Sequence, residues 1–390
     1  MLSLAWLGTS PVFATTESNH GHEGEEDMSS QIKEDIQHHL QDAYTFHLFT
    51  DKESGTHVGF PLPVVLIDNG LHVFSSSKFH HGEDMVEKGG KKYFIYHNKI
   101  YGAEETIYLG EKKTRMVENE EGEEEEEEYV DTVQTMPVDE FFHTYAQGHG
   151  ADLPEGLFVT NKKPLDFSIT KNVFSIFFIS ILLLLMFGAA AKSYKKGLAP
   201  TGWAKFLEPI ILFVRDEIAI PNIGEKDYKR FMSYLLTIFF FIWIVNLFGL
   251  TPLGINVTGN IAVTFALAFM TFLITQFSGR KEYWKHIFWM PGVPWPMKII
   301  LAPIELLGVF IKPFALLIRL YANITAGHVV LMSIIGMMFV FQNWIGSSLS
   351  FGLAFALAML ELLVAALQAY IFTMLTALYF GSAVAEHDDH

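Results

Sequence analysis

Apolar positions divide the chain in two. Up to about Lys171 they come in short runs broken by polar residues, and beyond it they form long stretches with few charges. In the front part, Phe60–Ser76 (FPLPVVLIDNGLHVFSS) and Lys91–Gly110 (KKYFIYHNKIYGAEETIYLG) read as short strands. β-Branched and aromatic residues recur there between Asn-Gly, His-Asn-Lys and Gly punctuation. Asp68-Asn69-Gly70 fits a hairpin turn, and Gln31–Asp42 suits a short helix. A small β-rich domain is expected.

The rest of the chain reads as membrane helices. Val173–Ala191 is nineteen residues without a charge, enough to cross a hydrocarbon core of about 30 Å. Phe231–Leu250 and Gly259–Phe277 are second and third spans. Pro303–Asn343 (41 residues) and Phe351–Phe380 (30 residues) would make helices of roughly 60 and 45 Å, longer than a span needs. The first of these could be two spans or one tilted helix. No polar loop near Arg319 could hold a reversal, so tilt is the simpler reading. The expected fold class is therefore an all-α multi-pass membrane protein with five membrane helices, the last two long and tilted. In front of it stands an extracytoplasmic, β-rich, partly disordered domain.

Charge sharpens the division. Residues 1–171 hold 32 acids and 13 bases, whereas residues 172–390 hold 11 acids and 14 bases. So acidic a front argues against nucleic-acid binding, which calls for basic patches. With no cysteine, neither disulfides nor thiol chemistry is possible. Among the short loops, 192–230 carries eight Lys and Arg and 279–298 carries four, while 251–258 and 346–350 carry none. By the positive-inside rule the N-terminal domain lies outside and the C-terminus inside. Residues 1–14 are apolar, end in Val-Phe-Ala and suit a signal peptide, although a basic start is missing. The domains expected are thus 15–171 outside the membrane and 172–390 within it.

Twelve of sixteen histidines lie in the front part, including His20, His22, His38, His39, His80 and His81. None has zinc-like spacing to a second pair of ligands, so solvated histidines are expected and no metal or cofactor. The run Glu121–Glu128 repels itself and is expected to be disordered, within a stretch of about 118–131.

Candidate chemistry is concentrated in Pro303–Asn343, where Glu305, Lys312, Arg319, Asn323 and His328 interrupt an apolar run. An arginine at a helix centre costs about 2.5–3.5 kcal/mol or more, so an intramembrane arginine is a functional candidate by default. Glu305, Lys312 and Arg319 are spaced by seven and Asn323 follows by four, which places them on neighbouring strips of one face. His328, nine residues after Arg319, points about 180° away. On the last helix Glu361 and Gln368 share a face, and Glu361 is the only formal charge between Arg319 and Glu386. His328 and Glu361 suit either a proton relay or a buried pair that pins two helices. Arg319 stays charged and cannot pass a proton on; it can repel a crossing proton and attract a carboxylate. Small residues around it (Ala322, Thr325, Ala326, Gly327) permit close approach of another helix.

The run RLYANITAGH (Arg319–His328), with QAYIFTMLT from Gln368 and NLFGLTP from Asn246 to Pro252, resembles subunit a of the F-type ATP synthase over about Phe206–His387. The first 170 residues are much longer than a typical bacterial subunit a needs. That resemblance implies a non-catalytic stator subunit of the whole F-type ATP synthase. Its partners would be the c-ring, the subunit b stalk and membrane lipid, and its place a bacterial inner membrane. It implies that Arg319 faces the c-ring carboxylate and separates two half-channels, with Gln368 close by and Asn323 one turn along. His328 and Glu361 would line the outer half-channel, with residue types exchanged relative to some bacterial relatives, and Glu305 would lie toward the inner one. Protons are preferred over sodium as the ion. A secondary transporter would show inverted repeats, and an intramembrane hydrolase a motif such as His-Glu-x-x-His; the chain has neither.

Overall fold

The computed structural model describes residues 42–51, 56–118, 124–147, 153–154, 156–196, 202–251, 255–289, 294–340 and 344–385. The signal-peptide stretch, nearly all of the helix expected at Gln31–Asp42, and His20, His22, His38 and His39 lie outside the described residues.

A β-rich domain stands at the front, as expected. Strand β1 (Thr45–Asp51) pairs antiparallel with β2 (Thr56–Pro61). Strands β3 (Pro63–Ile67) and β4 (Leu71–Ser75) form a hairpin around Asp68-Asn69-Gly70, where Asn69 takes φ 51°, a left-handed conformation that asparagine tolerates. Next, β5 (Val86–Lys88), β6 (Lys91–Tyr96) and β7 (Lys99–Ala103) form a sheet. The His97-Asn98 turn between the last two has both φ values positive, 46° and 56°, which suits the right-handed twist of a tight hairpin. A long hairpin of β8 (Thr106–Glu118) and β9 (Glu124–Pro137) follows, with β10 (Leu157–Val159) on the other edge of β8 and β11 (Leu165–Asp166) beside β3.

Here the structure departs from one expectation. From Glu124 onward the glutamate run is not disordered but belongs to β9. Its partner strand β8 sets Arg115 opposite Glu127 and Glu118 opposite Glu124, and Lys113 Nζ donates to Asp131 at 2.8 Å.

Helix α1 (Lys171–Lys196) begins directly under this domain. The Asn172 N–H donates to Asp42 Oδ1 at 3.0 Å and the Lys171 N–H to the Ala43 carbonyl at 2.8 Å, so two of the orphan donors at the helix start are satisfied from outside it. Phe46 and Phe60 pack on Phe174, with ring centroids 5.6 and 5.2 Å away. Helix α2 (Trp203–Phe213) runs on through a wider turn, Val214–Ala219, and a last turn, Ile220–Ile223. The sequence reading missed it because its apolar stripe is narrow: Ala204, Leu207, Val214 and Ile218 are buried, with charged residues between them.

Then come α3 (Tyr228–Gly249), α4 (Ile261–Ser278), the short α5 (Lys281–Phe288), α6 (Trp295–Val340) and α7 (Trp344–Val384). Among the described residues five helices (α1, α3, α4, α6 and α7) are long and apolar enough to cross a membrane. Helix α6 has 46 residues, about 70 Å. It starts eight residues before Pro303, because Pro296 falls in the first turn, where no N–H partner is lost. Buried Leu235, Ile238, Phe240 and Ile242 of α3 share one core with Ala369, Phe372, Ala377 and Phe380 of α7, and the rings of Phe231 and Phe380 stack at 4.6 Å. At the end remote from the β-domain, the Arg280 N–H donates to the Ala383 carbonyl at 3.0 Å, and Arg280 Nη2 pairs with Asp227 at 3.0 Å.

Candidate functional site: two polar inlets and an exposed arginine

Near the domain end, a cavity of about 30 Å³ lies between α3, α6, α7 and the 255–258 loop. That is room for one or two waters. Its polar lining is Asn246, Asn256, Thr258, Asn323, His328 and Glu361. Thr258 Oγ1 donates to Asn246 Oδ1 at 2.9 Å, fixing the amide so that Nδ2 is left buried without a protein acceptor. Asn256 Oδ1 and Glu361 Oε2 are likewise buried without protein partners. Such groups are costly in a dry interior and suit ordered water. Gly259 leaves the space that Asn256 occupies: a Cβ there would stand 2.2 Å from its Oδ1.

His328 and Glu361 thus line one cavity, 6 % and 8 % exposed. Glu361 lies against Gly327, one of the small residues noted in the sequence. Asn323 Nδ2 donates to Gln368 Oε1 at 2.9 Å, tying α6 to α7.

Arg319 lies on the other side of α6 from His328, exposed where His328 is buried. Among the described residues no carboxylate pairs with it; the interaction the structure does give it is electrostatic, with Tyr379 of α7.

A second polar group lies toward the remote end. Thr271, Thr275, Gln276, Tyr283, Lys312 and Tyr379 line a narrow cleft between α4, α6 and α7. Gln276 Nε2 donates to the Tyr283 hydroxyl at 3.3 Å, the Tyr234 hydroxyl and Thr271 Oγ1 are 2.9 Å apart, and Lys312 Nζ stands 5.6 Å over the Tyr379 ring. Glu305 is half-buried nearby, its charge felt by Tyr283. Glu305 and Lys312 therefore go with this cleft, Asn323, His328 and Glu361 with the cavity, and Arg319 and Gln368 with the region between.

Sequence reasoning missed Asn246, Asn256, Thr258, Gln276, Tyr283 and Tyr379. Asn246 and Gln276 were visible as amides near the ends of apolar spans, but nothing in the sequence joins a helix end to His328. In the β-domain, no group of three His, Asp or Glu side chains among the described residues could hold a metal; His80 pairs with Asp84.

Fold and site together define a multi-pass helical membrane protein with a polar cavity and a separate polar cleft on either side of an exposed arginine. A family described as ATP synthase A chain matches residues 173–381, over half of the chain, and the chain belongs to that family. Its relatives include an ATP synthase subunit a of Anaeromyxobacter sp. (strain Fw109-5), 43% identical over 67% of this chain and 66% of that protein. An ATP synthase subunit a 2 of Chlorobaculum tepidum is 47% identical over 58% of this chain and 66% of that protein. An ATP synthase subunit a of Myxococcus xanthus is 43% identical over 62% and 81%. The chain spans just under two thirds of the length of the first two. A separate family, described only as a domain of unknown function, matches residues 35–132.

Proposed function

We propose that this chain is the proton-conducting stator subunit of a bacterial F-type ATP synthase, held in the inner membrane beside a c-ring and a subunit b stalk and not itself catalytic. The observation that carries this reading is the exposed Arg319 on a membrane helix, with no described carboxylate to neutralise it. A charge so placed requires a counter-charge from outside the chain, and a ring of carboxylates moving past α6 supplies one.

Protons reach the ring through the cavity holding His328 and Glu361, where water and the uncompensated polar atoms offer a path. They neutralise a c-subunit carboxylate, the ring turns, and they leave through the cleft near Glu305. Arg319 stays charged and opposes a proton passing straight from one inlet to the other. Asn323 and Gln368 hold α6 and α7 together beside it. The distribution of Lys and Arg over the loops supports a β-domain outside and a C-terminus inside. Each charge that crosses is worth about 2.3 kcal/mol per 100 mV, so a leak past Arg319 would dissipate the drive.

In membrane vesicles holding the whole complex, Arg319→Ala is expected to abolish ATP synthesis driven by a proton gradient. Normal synthesis in the variant refutes the assignment, and synthesis that follows a sodium gradient instead of pH identifies the other ion.

A further inference from the structure

The domain end of α1 carries a buried cation that this mechanism leaves without a task. Lys171 is 5 % exposed, beside the equally buried Asn172 and Ser175. Its backbone is tied to Ala43 and that of Asn172 to Asp42. The Asp42 carboxylate lies close enough to interact with the Lys171 ammonium. Burial pushes the Asp42 carboxyl above its usual range, against the Asn172 N–H, the Thr170 hydroxyl and the charge of Lys171.

Two observations connect this pair to the cavity. The ring of Phe178, two turns into α1, meets Phe248 at 6.1 Å, which sets the start of α1 beside the end of α3 that contributes Asn246, Gly249 and Leu250 to the cavity. Lys171 also lies within electrostatic reach of His328. Among the described residues, the charged or titratable groups around that imidazole are Lys171 from α1, with Asp42 beside it, and Glu361 from α7 across the cavity. Helix α3 and the 255–258 loop supply only the uncharged Asn246, Asn256 and Thr258. On α6 itself Arg319 is nine residues back, on the opposite face.

We propose that Lys171 and Asp42 are positioning residues that set the outer pH range over which protons load, making the β-domain part of the inlet. Lys171 opposes a second positive charge at His328, and Asp42 moderates that opposition. A unit charge at such range in a partly wet medium acts on the order of half to one pH unit. The inference rests on the proton-conducting reading above and adds to it a role for the N-terminal domain.

The test uses the whole complex in vesicles, with outer pH varied at fixed inner pH and fixed membrane potential. Lys171→Gln should move the midpoint of ATP synthesis against outer pH upward by roughly half a unit or more, and Asp42→Asn should move it downward. Lys171→Arg should keep the wild-type midpoint. A merely structural role predicts lower rates with an unmoved midpoint. Equal midpoints, or shifts of the same sign in the Gln and Asn variants, overturn the proposal. If Lys171→Gln does not assemble, a downward shift in Asp42→Asn with no shift in Lys171→Arg supports it, and any other result from those two variants refutes it. Arg319→Ala in the same vesicles tests the underlying reading separately, since its outcome does not depend on where the midpoint lies.

Discussion

Gly327 of α6 and Glu361 of α7 are fitted to each other: a Cβ at Gly327 would stand 2.7 Å from Glu361 Oε1. The absence of a side chain at one position therefore determines where the other's carboxylate can lie. Gly327→Ala should turn Glu361 away from the cavity. The carboxylate can swing aside because it is the far end of a flexible side chain, so the variant should assemble while its proton-driven synthesis falls below the wild-type rate. Synthesis at the wild-type rate would show that the carboxylate's place does not matter.

His328 and Glu361 line one cavity, and the proposed path for protons runs past both. Exchanging them (His328→Glu with Glu361→His) keeps one imidazole and one carboxylate on the path. The double exchange should retain more proton flux, read by pH-dye quenching, than either His328→Ala or Glu361→Ala. Flux no better than in the single variants would show that the two positions act independently.

Among the described glycines, Gly381 allows the closest approach that a side chain would block. A Cβ there would meet the Asn222 carbonyl oxygen at 1.9 Å, and a backbone atom cannot rotate aside. Gly381→Ala should part α7 from the end of the α2 segment and cost about 1–3 kcal/mol or more, visible as a lower melting temperature of the detergent-solubilised complex. An unchanged melting temperature would mean that the two segments are free to separate.

The β-domain should unfold at high pH in a definite window. Tyr93 is fully buried; burial first, then the Asp68 charge and hydrogen bond, push its phenol from 10.0 up to about 12. A folded value above the unfolded one gives a stability that is complete below pH 10 and lost as pH rises from 10 to 12. Base titration followed by tyrosinate absorbance should show this step in the wild type and not in Tyr93→Phe. A step that persists in the variant would assign it to another group.

The sequence by itself determined the number of membrane helices, the excess length of the last two, the hairpin at Asp68-Asn69-Gly70 and the opposed faces of Arg319 and His328. These follow from run length and helical period, which are local properties of a chain. Only the tertiary structure decided that Asn246, Asn256 and Thr258 meet His328 and Glu361 around one cavity, that Gln276, Tyr283 and Tyr379 gather near Glu305 and Lys312, and that Asp42 meets the start of α1 beside Lys171. Those groupings join residues scores of positions apart, through crossings set by packing and by the space left at Gly327 and Gly259. The glutamate run is limited in a similar way. Its self-repulsion is written locally, but its place in β9 opposite β8 is set by the register of the hairpin.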